Sequence, residues 1–354
     1  MNRNETVLVT ASGSVVGQGI IKCLKLANAN GGGSSYRIIA TDASPLAAGL
    51  YRGDSGVLVP PASDPDYVKS ILGVCRRTNV GAVFVGSDEE LYPLARARKT
   101  IEGEGGVKVI VNPVGVLDKC SDKWATYVFL KENGFPTAES AIPEGEESFY
   151  DIVDFPIIVK PREGHGSIDV HVAHCAEEAA VAKAQIERRG GRPMLQEYLG
   201  DDANEFSTGI TLSSDGKSVL SSIAMRRTLK GGQTYKAFID DFCEVRESAE
   251  EVALKLGASG PVNVQSRISD GIPKVFEINP RLSASCPMRA VAGVNEPDFL
   301  YRNFVLGEKF EVRNYQKLVS MRYWNEVYIR PSTFERTEKD GEFSGPDSVV
   351  LPYF

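Results

Sequence analysis

The chain has 354 residues, of which 42% are hydrophobic and 25% charged, and this is typical of a soluble globular protein of two to three domains. Its net charge of -7 argues against a general nucleic-acid-binding protein, which would carry an excess of basic residues. No apolar run approaches the roughly 18 residues of a membrane span, and the N-terminus lacks the apolar core of a signal peptide. We therefore expect a cytoplasmic protein that binds neither nucleic acid nor a membrane.

Strand-like and helix-like patterns alternate through the first 113 residues. Apolar runs at 7–9, 37–42, 82–85 and 107–111 indicate strands, and helical periodicity covers 17–26, 67–77 and 89–98. Such alternation predicts a parallel sheet with helices on both faces, that is, a Rossmann-like α/β domain that ends near Pro113.

The segment 7–21, VLVTASGSVVGQGII, resembles a dinucleotide-binding turn but does not have its spacing. Its glycines at 13, 17 and 19 do not form G-x-G-x-x-G, although Asp42 at the end of the second strand keeps an NAD(P)-dependent oxidoreductase open as an alternative. We interpret the glycines as a tight strand-to-helix turn that faces the cleft. Its anion-binding N–H groups make this loop, with Ser12, a candidate contact for the substrate.

The middle of the chain has a mixed α+β order. Ser121 or Asp122 can cap a helix that ends near Gly134, and a strand at 155–160 leads into a glycine loop. The stretch 168–172 alternates like a strand, which would point His171 and His174 to opposite sides and disfavours a zinc site there. A helix at 176–189 ends at two glycines, so we predict domains at 1–113, 114–190 and 191–354.

The most specific motif is Val275-Phe-Glu-Ile-Asn-Pro-Arg281. In a strand, its period-two spacing puts Glu277, Asn279 and Arg281 on one face. A carboxylate and an amide oxygen suit Mg²⁺, and an arginine beyond them suits a phosphate oxygen. The upstream run 262–265 offers an antiparallel partner that brings Gln265 to a comparable face, with Asp270-Gly271 as the hairpin turn. The alternative is a solvated strand face with a chance salt bridge.

Further candidates for a nucleotide and substrate site carry weaker signals. Lys160 ends an apolar strand and precedes a glycine loop that can approach phosphates, although such loops are also common elsewhere. Backbone groups at 197–199 can pair with a purine edge, Glu205 can reach a ribose, and Arg226-Arg227 suits an anionic substrate or merely a solvated hairpin. Asp88 either contacts the substrate or favours a helix N-terminus. The residues that complete these candidates are Gly164, Gly166, Ser167, Glu197, Tyr198 and Leu199.

These motifs, in this order and with Asp122-Lys123 opening a helix, resemble the ATP-grasp superfamily, and more closely the ligases similar to the carbamoyl phosphate synthase large subunit. The resemblance implies a Rossmann-like pre-ATP-grasp domain followed by a two-subdomain ATP-grasp fold. By motif, it implies that Lys123 and Lys160 contact phosphates and that the glycine loop covers them. It also implies that Glu197 and Leu199 contact adenine and that Glu205 contacts the ribose. Mg²⁺ or Mn²⁺ would be bound by Gln265, Glu277 and Asn279, and Arg281 would contact the reacting oxygens.

The implied activity is ATP-dependent activation of a carboxylate to an acyl phosphate, which an amine then attacks. The chain holds a single ATP-grasp unit, so carbamoyl phosphate synthesis is not expected. Family resemblance also suggests a homodimer. The alternatives are the NAD(P)-dependent oxidoreductase and a non-catalytic sensor that closes on ATP.

Overall fold

The computed structural model describes residues 3–31, 34–164, 166, 168–200, 204–323, 325–345 and 348–350. Within these ranges, no helix is both long and apolar enough to cross a bilayer. The N-terminal unit contains β1 (Arg3–Val9), α1 (Val15–Ala29), β2 (Ser34–Asp42), β3 (Ser55–Leu58), α2 (Tyr67–Thr78), β4 (Ala82–Phe84), α3 (Leu91–Gly105) and β5 (Lys108–Ile110).

These strands run parallel in an N-terminal sheet, in the order β3-β2-β1-β4-β5. Alternate residues of β1 enter two different cores. Val7 and Val9 pack on the side of α1, and Leu8 packs on the opposite side with Ile71 of α2 and Leu94 of α3. Helices therefore cover both faces, which confirms the predicted α/β class.

The glycine-rich turn after β1 is held by close backbone contacts. Ser14 caps α1 by accepting a hydrogen bond from the Gly17 N–H at 2.8 Å. A Cβ atom at Gly17 would lie 2.4 Å from the carbonyl oxygen of Ala11, so a larger residue would push the turn apart. The predicted tight strand-to-helix turn is confirmed.

The second unit is built around a small antiparallel sheet. Its helices and strands are α4 (Val114–Ser121), α5 (Lys123–Glu132), β6 (Ser140–Ala141), α6 (Glu146–Tyr150), β7 (Ile157–Pro161), β8 (His171–Ala173), α7 (Ala176–Arg188) and β9 (Pro193–Glu197). The sheet order is β6-β9-β7-β8. The prediction of a strand from residue 168 was wrong, because Asp169 has a φ of 56° and the strand begins only at His171. The small sheet continues to Glu197, so the predicted boundary at 190 falls inside it.

The third unit is a large antiparallel sheet in the order β14-β13-β10-β11-β12-β15. Its elements are β10 (Glu205–Leu212), β11 (Val219–Lys230), β12 (Gln233–Ile239), α8 (Cys243–Leu256), β13 (Pro261–Ser269), β14 (Ile272–Asn279), α9 (Cys286–Val291), α10 (Glu296–Phe304) and β15 (Leu318–Met321). The predicted hairpin of β13 and β14 is confirmed, with Gln265 opposite Glu277. Asp270 and Gly271 turn the chain with φ angles of 53° and 77°.

The C-terminal elements return to the N-terminal unit. They are β16 (Tyr328–Ile329), α11 (Pro331–Asp340), β17 (Glu342–Ser344) and β18 (Ser348–Val349). Strand β17 pairs antiparallel with β3 at the edge of the N-terminal sheet, and Phe343 stacks on Tyr51 with ring centroids 5.2 Å apart. The N-terminal sheet therefore includes residues from both ends of the described chain.

Candidate nucleotide and substrate site

A cavity of about 1060 Å³ lies between the three units. The cavity is bordered by the start of α1 in the N-terminal unit, by one face of the small sheet and by the strand ends of the large sheet. Most of the sequence-predicted residues line it: Asp88, Lys123, Lys160, Gly164, Gly166, Glu197, Tyr198, Leu199, Glu205, Arg227, Gln265, Glu277, Asn279 and Arg281. Ser167 lies outside the described residues.

At the end of β14, the side chains of the VFEINPR motif are joined to one another. Asn279 donates a hydrogen bond to Glu277 Oε1 at 2.9 Å, and Arg281 donates to Asn279 Oδ1 at 3.1 Å. The guanidinium of Arg281 also donates hydrogen bonds to both carboxylate oxygens of Asp88, at 2.7 and 3.0 Å. The predicted common face is present, and Asp88 extends it into the N-terminal unit.

Glu277 stays ionised in this partly buried position. Burial alone would raise the pKa of Glu277, but the nearby charges of Lys123 and Lys160 and the hydrogen bond from Asn279 outweigh it and lower the pKa below its usual value. Gln265 contributes a longer contact of 3.4 Å to Glu277 Oε1. An ionised carboxylate beside two amide side chains is therefore available at the cavity surface.

Lys160 is the most deeply buried cation of the small-sheet side. Only 4% of it is exposed, and its ammonium donates to Gln196 Oε1 at 2.7 Å. Burial lowers the pKa of Lys160 to about 7, with help from the charges of Lys123 and Arg267 and against the pull of Glu277. Gln196, two residues after Met194 on β9, was missed by the sequence analysis because a glutamine in a strand gives no signal of its own.

Lys123 at the start of α5 approaches the glycine loop. Its Nζ donates to the carbonyl oxygen of Gly164 at 2.7 Å, and its backbone N–H donates to the carbonyl oxygen of Arg162 at 2.9 Å. A Cβ atom at Gly232 would lie 2.2 Å from the carbonyl oxygen of Gly166. The glycine loop and the β11–β12 turn thus meet across the cavity, and the turn needs glycine at position 232 for so close an approach.

Glu205 is buried and takes part in two ion pairs. Arg227 binds its Oε1 at 2.8 Å and Arg267 binds its Oε2 at 2.8 Å. Arg267 was missed by the sequence analysis, although it stands two residues after Gln265 on β13 and therefore shares its face. Nearby, Lys274 binds Glu197 Oε1 at 2.6 Å, which fixes this side chain at the end of β9, where Glu197 lines the cavity.

The structure does not bring Arg226 or Ser12 to the cavity. Arg226 and Arg227 are neighbours on β11, so their side chains leave opposite faces, and Arg226 lies over the ring of Phe238 at 4.9 Å. Ser12 is fully buried beneath the turn, where its N–H donates to the carbonyl oxygen of Thr41. Ser14 and Val15 line the cavity in its place.

Asp42 does not hold a cofactor position. Its Oδ2 accepts the Gly13 N–H at 2.7 Å and its Oδ1 accepts the Ser44 N–H at 3.0 Å. It thus braces the glycine turn, which removes the residue on which the NAD(P) alternative depended.

Models of two known protein families match this chain, one in its N-terminal unit and one in its second half. A family described as "PylC-like, N-terminal domain" matches residues 7–110, and one described as "ATP-grasp in the biosynthetic pathway with Ter operon" matches residues 192–327. Residues 192–327 therefore match an ATP-grasp domain, and residues 7–110 match an N-terminal domain of the PylC-like type.

Known relatives and folds agree with this ATP-grasp assignment. The carbamoyl phosphate synthase large chain of Neisseria meningitidis serogroup B is 25% identical over 238 residues, which are 63% of this chain and 22% of that protein. The chain thus spans about a fifth of that relative. A carbamoyl-phosphate synthase of Methanobrevibacter smithii is 25% identical over 324 residues, or 87% of this chain and 82% of that one.

Among solved structures, the biotin carboxylase domain of Hydrogenobacter thermophilus 2-oxoglutarate carboxylase has a similar fold. Its TM-score is 0.67 at 15% identity, and the match covers 93% of this chain and 76% of that one. This likeness confirms the predicted combination of a Rossmann-like domain with an ATP-grasp fold.

Proposed function

We propose that the protein is an ATP- and Mg²⁺-dependent ligase that joins a carboxylate to an amine. The observation that carries this proposal is the convergence of Lys123, Lys160, Glu277, Asn279 and Arg281 on one cavity. Phosphoryl transfer depends chiefly on positioning and on charge neutralisation, and this set supplies both.

The reaction has two steps whose atoms balance. An oxygen of the substrate carboxylate attacks the γ-phosphorus of ATP, and ADP leaves with the bonding electrons. The amine nitrogen then attacks the acyl carbon, phosphate leaves, and the nitrogen loses a proton. Among the described residues, the ammonium groups of Lys123 and Lys160 donate hydrogen bonds only to neutral oxygens, those of Gly164 and Gln196, so their charges are available to phosphate oxygens. Arg281 is placed to stabilise charge on the transferring group.

The donor set fits a magnesium ion. Mg²⁺ is usually bound through one or two carboxylates together with substrate phosphates and water, and Glu277 with Asn279 and Gln265 supplies such a partial set of oxygens. Within the described residues, no group of three or more His, Cys, Asp and Glu side chains could enclose a metal alone, so the nucleotide would complete the site. A bound Mg²⁺ would neutralise charge on the phosphate oxygens. Mn²⁺ prefers similar oxygen donors and remains a prediction.

The nucleotide assignments rest on the same cavity. The Hydrogenobacter domain, which shares this fold, is in complex with MgADP and bicarbonate. We place adenine against the backbone at 197–199 and ribose at Glu205. Glu205 Oε1 accepts two hydrogen bonds from Arg227, whereas Oε2 accepts one from Arg267 and so keeps a lone pair for a ribose hydroxyl.

A product assay over a panel of acids and amines tests the proposal. We expect ADP and phosphate in equal amounts, released only when both an acid and an amine are present. Glu277→Gln removes the charge that the metal needs at nearly constant shape, and should lower kcat by at least about 10²-fold. Glu104→Gln, which alters an exposed ion pair with Arg76, should leave kcat unchanged. AMP and pyrophosphate as products would overturn the mechanism, and normal turnover by Glu277→Gln would overturn the metal assignment.

The proposed partners are therefore two small molecules, an acid and an amine. The homodimer and the cytoplasmic location stay predictions. Sedimentation of the purified protein would test the first, because a monomer at micromolar concentration contradicts it.

A further inference from the structure

A group of basic side chains lies beside the α1 end of the cavity. Arg322, directly after β15, donates hydrogen bonds to the carbonyl oxygen of Ala284 at 2.6 Å and to Gln233 Oε1 at 3.1 Å. Both Ala284 and Gln233 line the cavity. The guanidinium of Arg322 is therefore fixed at the cavity rim by two neutral oxygens, which leave its charge uncompensated.

Lys22 reaches the same place from α1. A Cβ atom at Gly19 would lie 3.6 Å from the carbonyl oxygen of Ala284, so this face of α1 is packed on the segment that Arg322 holds. Lys22 stands three residues after Gly19 and therefore lies on the same helix face. Desolvation, followed by the charges of Arg322 and Arg52, lowers the pKa of Lys22.

These three cations lack carboxylate partners. Throughout the described ranges, neither Lys22, Arg52 nor Arg322 forms an ion pair, although acidic residues outnumber basic ones by 47 to 40 in the sequence. The nearby carboxylate of Asp54 acts instead on Lys25, one turn further along α1, whose pKa it raises against the effect of desolvation. Like charges that gather without a counter-ion destabilise the fold unless a ligand compensates them.

The position of this group relative to the reacting centre limits what it can bind. Ala284 follows Arg281 by three residues, so their Cα atoms are at most about 11 Å apart. The triphosphate of ATP is assigned to Lys123 and Lys160 on the small-sheet side. Through Ala284, Arg322 is tied to the segment that carries Arg281, the residue assigned to the reacting oxygens.

We propose that the acid substrate carries a second anionic group, a phosphate or a further carboxylate, which Arg322 and Lys22 bind. This proposal rests on the ligase function and names its substrate class. Arg322 determines how the group is oriented, because a guanidinium binds such an oxyanion through paired N–H groups. Lys22 adds a second positive charge.

Calorimetric titration with inorganic phosphate tests the binding site directly. Saturating Mg²⁺ and a non-hydrolysable ATP analogue should first fill the triphosphate positions. We expect the protein to bind phosphate, and the double variant Lys22→Gln/Arg322→Gln to raise the Kd at least tenfold. Lys25→Gln, one turn further along α1, serves as the matched control and should bind phosphate normally. No phosphate binding by the wild type, or equal binding by the double variant, would overturn the proposal.

Turnover with paired acids then distinguishes the two kinds of anion. Glycerate is compared with 3-phosphoglycerate, and butyrate with glutarate, in the assay for ADP. We expect activity with the member of one pair that carries a second anionic group, and a KM for that acid at least tenfold higher in the double variant at unchanged kcat and KM for ATP. Preference for glycerate and butyrate, which carry only the reacting carboxylate, would overturn the proposal. If no acid yields ADP while the phosphate result holds, the ligase function fails and the anion site stands.

Thermal unfolding excludes a merely structural role. Removing like charges relieves repulsion, so the double variant should unfold at the wild-type temperature or above it. A marked fall in Tm would mean that the basic side chains stabilise the fold, and would contradict their assignment to a ligand.

Discussion

The two sides of the cavity hold their charges in different ways. On the large-sheet side, the arginines at the cavity are already bound to carboxylates: Arg281 to Asp88, and Arg227 and Arg267 to Glu205. On the small-sheet side, the hydrogen bonds of Lys123 and Lys160 go to neutral oxygens alone, as far as the described part of the chain shows. The large-sheet side is therefore fixed before a ligand arrives, whereas the small-sheet side keeps positive charge that a polyanion can neutralise.

This difference suggests a division of labour. Bound pairs hold their side chains in one orientation and so suit the alignment of reacting groups. Burial disfavours the charged form of Lys160 and lowers its pKa despite the nearby charge of Glu277, so this ammonium gains most from a bound phosphate. Affinity for the nucleotide should therefore depend mainly on the lysines, and the rate of the chemical step mainly on the arginines.

Removal of the buried ammonium should have the largest effect. Lys160→Met keeps the length of the side chain and its apolar packing but removes the charge, so we expect kcat/KM for ATP to fall by about 10²–10³-fold. Steady-state kinetics at saturating acid and amine measure this change. Lys255→Met, on the exposed side of α8, should show wild-type values. A loss smaller than fivefold at Lys160 would contradict the assignment of phosphate binding to the small-sheet side.

A smaller effect is expected from loosening one pair of the large-sheet side. Asp88→Asn leaves Arg281 with its contacts to Asn279 and the carbonyl oxygen of Leu282 but removes the charged partner. We expect kcat to fall about tenfold, which corresponds to about 1.4 kcal/mol, while the KM for ATP does not rise.

The matched control for this change is Asp118→Asn, which alters an exposed hydrogen bond from Tyr92. It should leave both constants unchanged. A higher KM for ATP at unchanged kcat in Asp88→Asn would reverse the division of labour, because the pair would then act on binding rather than on the chemical step.

Local patterns were sufficient to predict much of this architecture. The period-two motif at Glu277, Asn279 and Arg281, the Asp270-Gly271 turn and the alternation of the N-terminal unit each depend on residues close in sequence. They predicted the hairpin, the shared face and the parallel sheet. The polar residues of the cavity were predicted from the same local patterns, because neighbouring strand ends bring their side chains to one edge of a sheet.

Contacts between distant segments were not predictable by these means. Asn112 is fully buried, and its amide donates to the carbonyl oxygens of Pro261 and Pro280, which ties the end of the N-terminal unit to the segment before Arg281. The return of β17 to β3 is likewise set by packing of Phe343 on Tyr51. Nothing in the neighbouring sequence specifies such partners, and for the same reason the group of Lys22, Arg52 and Arg322 gave no signal.

The smallest effect that we expect from the difference between the two sides of the cavity is a dependence of nucleotide affinity on pH. Lys160 has a pKa of about 7 in the free protein, so it loses its charge as the pH rises above this value. Bound phosphates favour the charged form and raise the pKa, so binding takes up a proton between about pH 7 and the usual lysine range. Affinity for a non-hydrolysable ATP analogue should therefore fall several-fold from pH 7.5 to 8.5.

Calorimetry at pH 8.5 in two buffers of different ionisation enthalpy measures this proton directly. We expect an uptake approaching one proton for the wild type and almost none for Lys160→Met. Lys255→Met should behave as the wild type, because an exposed lysine is already charged at this pH in both states. Equal uptake by the wild type and Lys160→Met would show that another group titrates. It would contradict the assignment of an uncompensated, pH-sensitive charge to Lys160 on the small-sheet side.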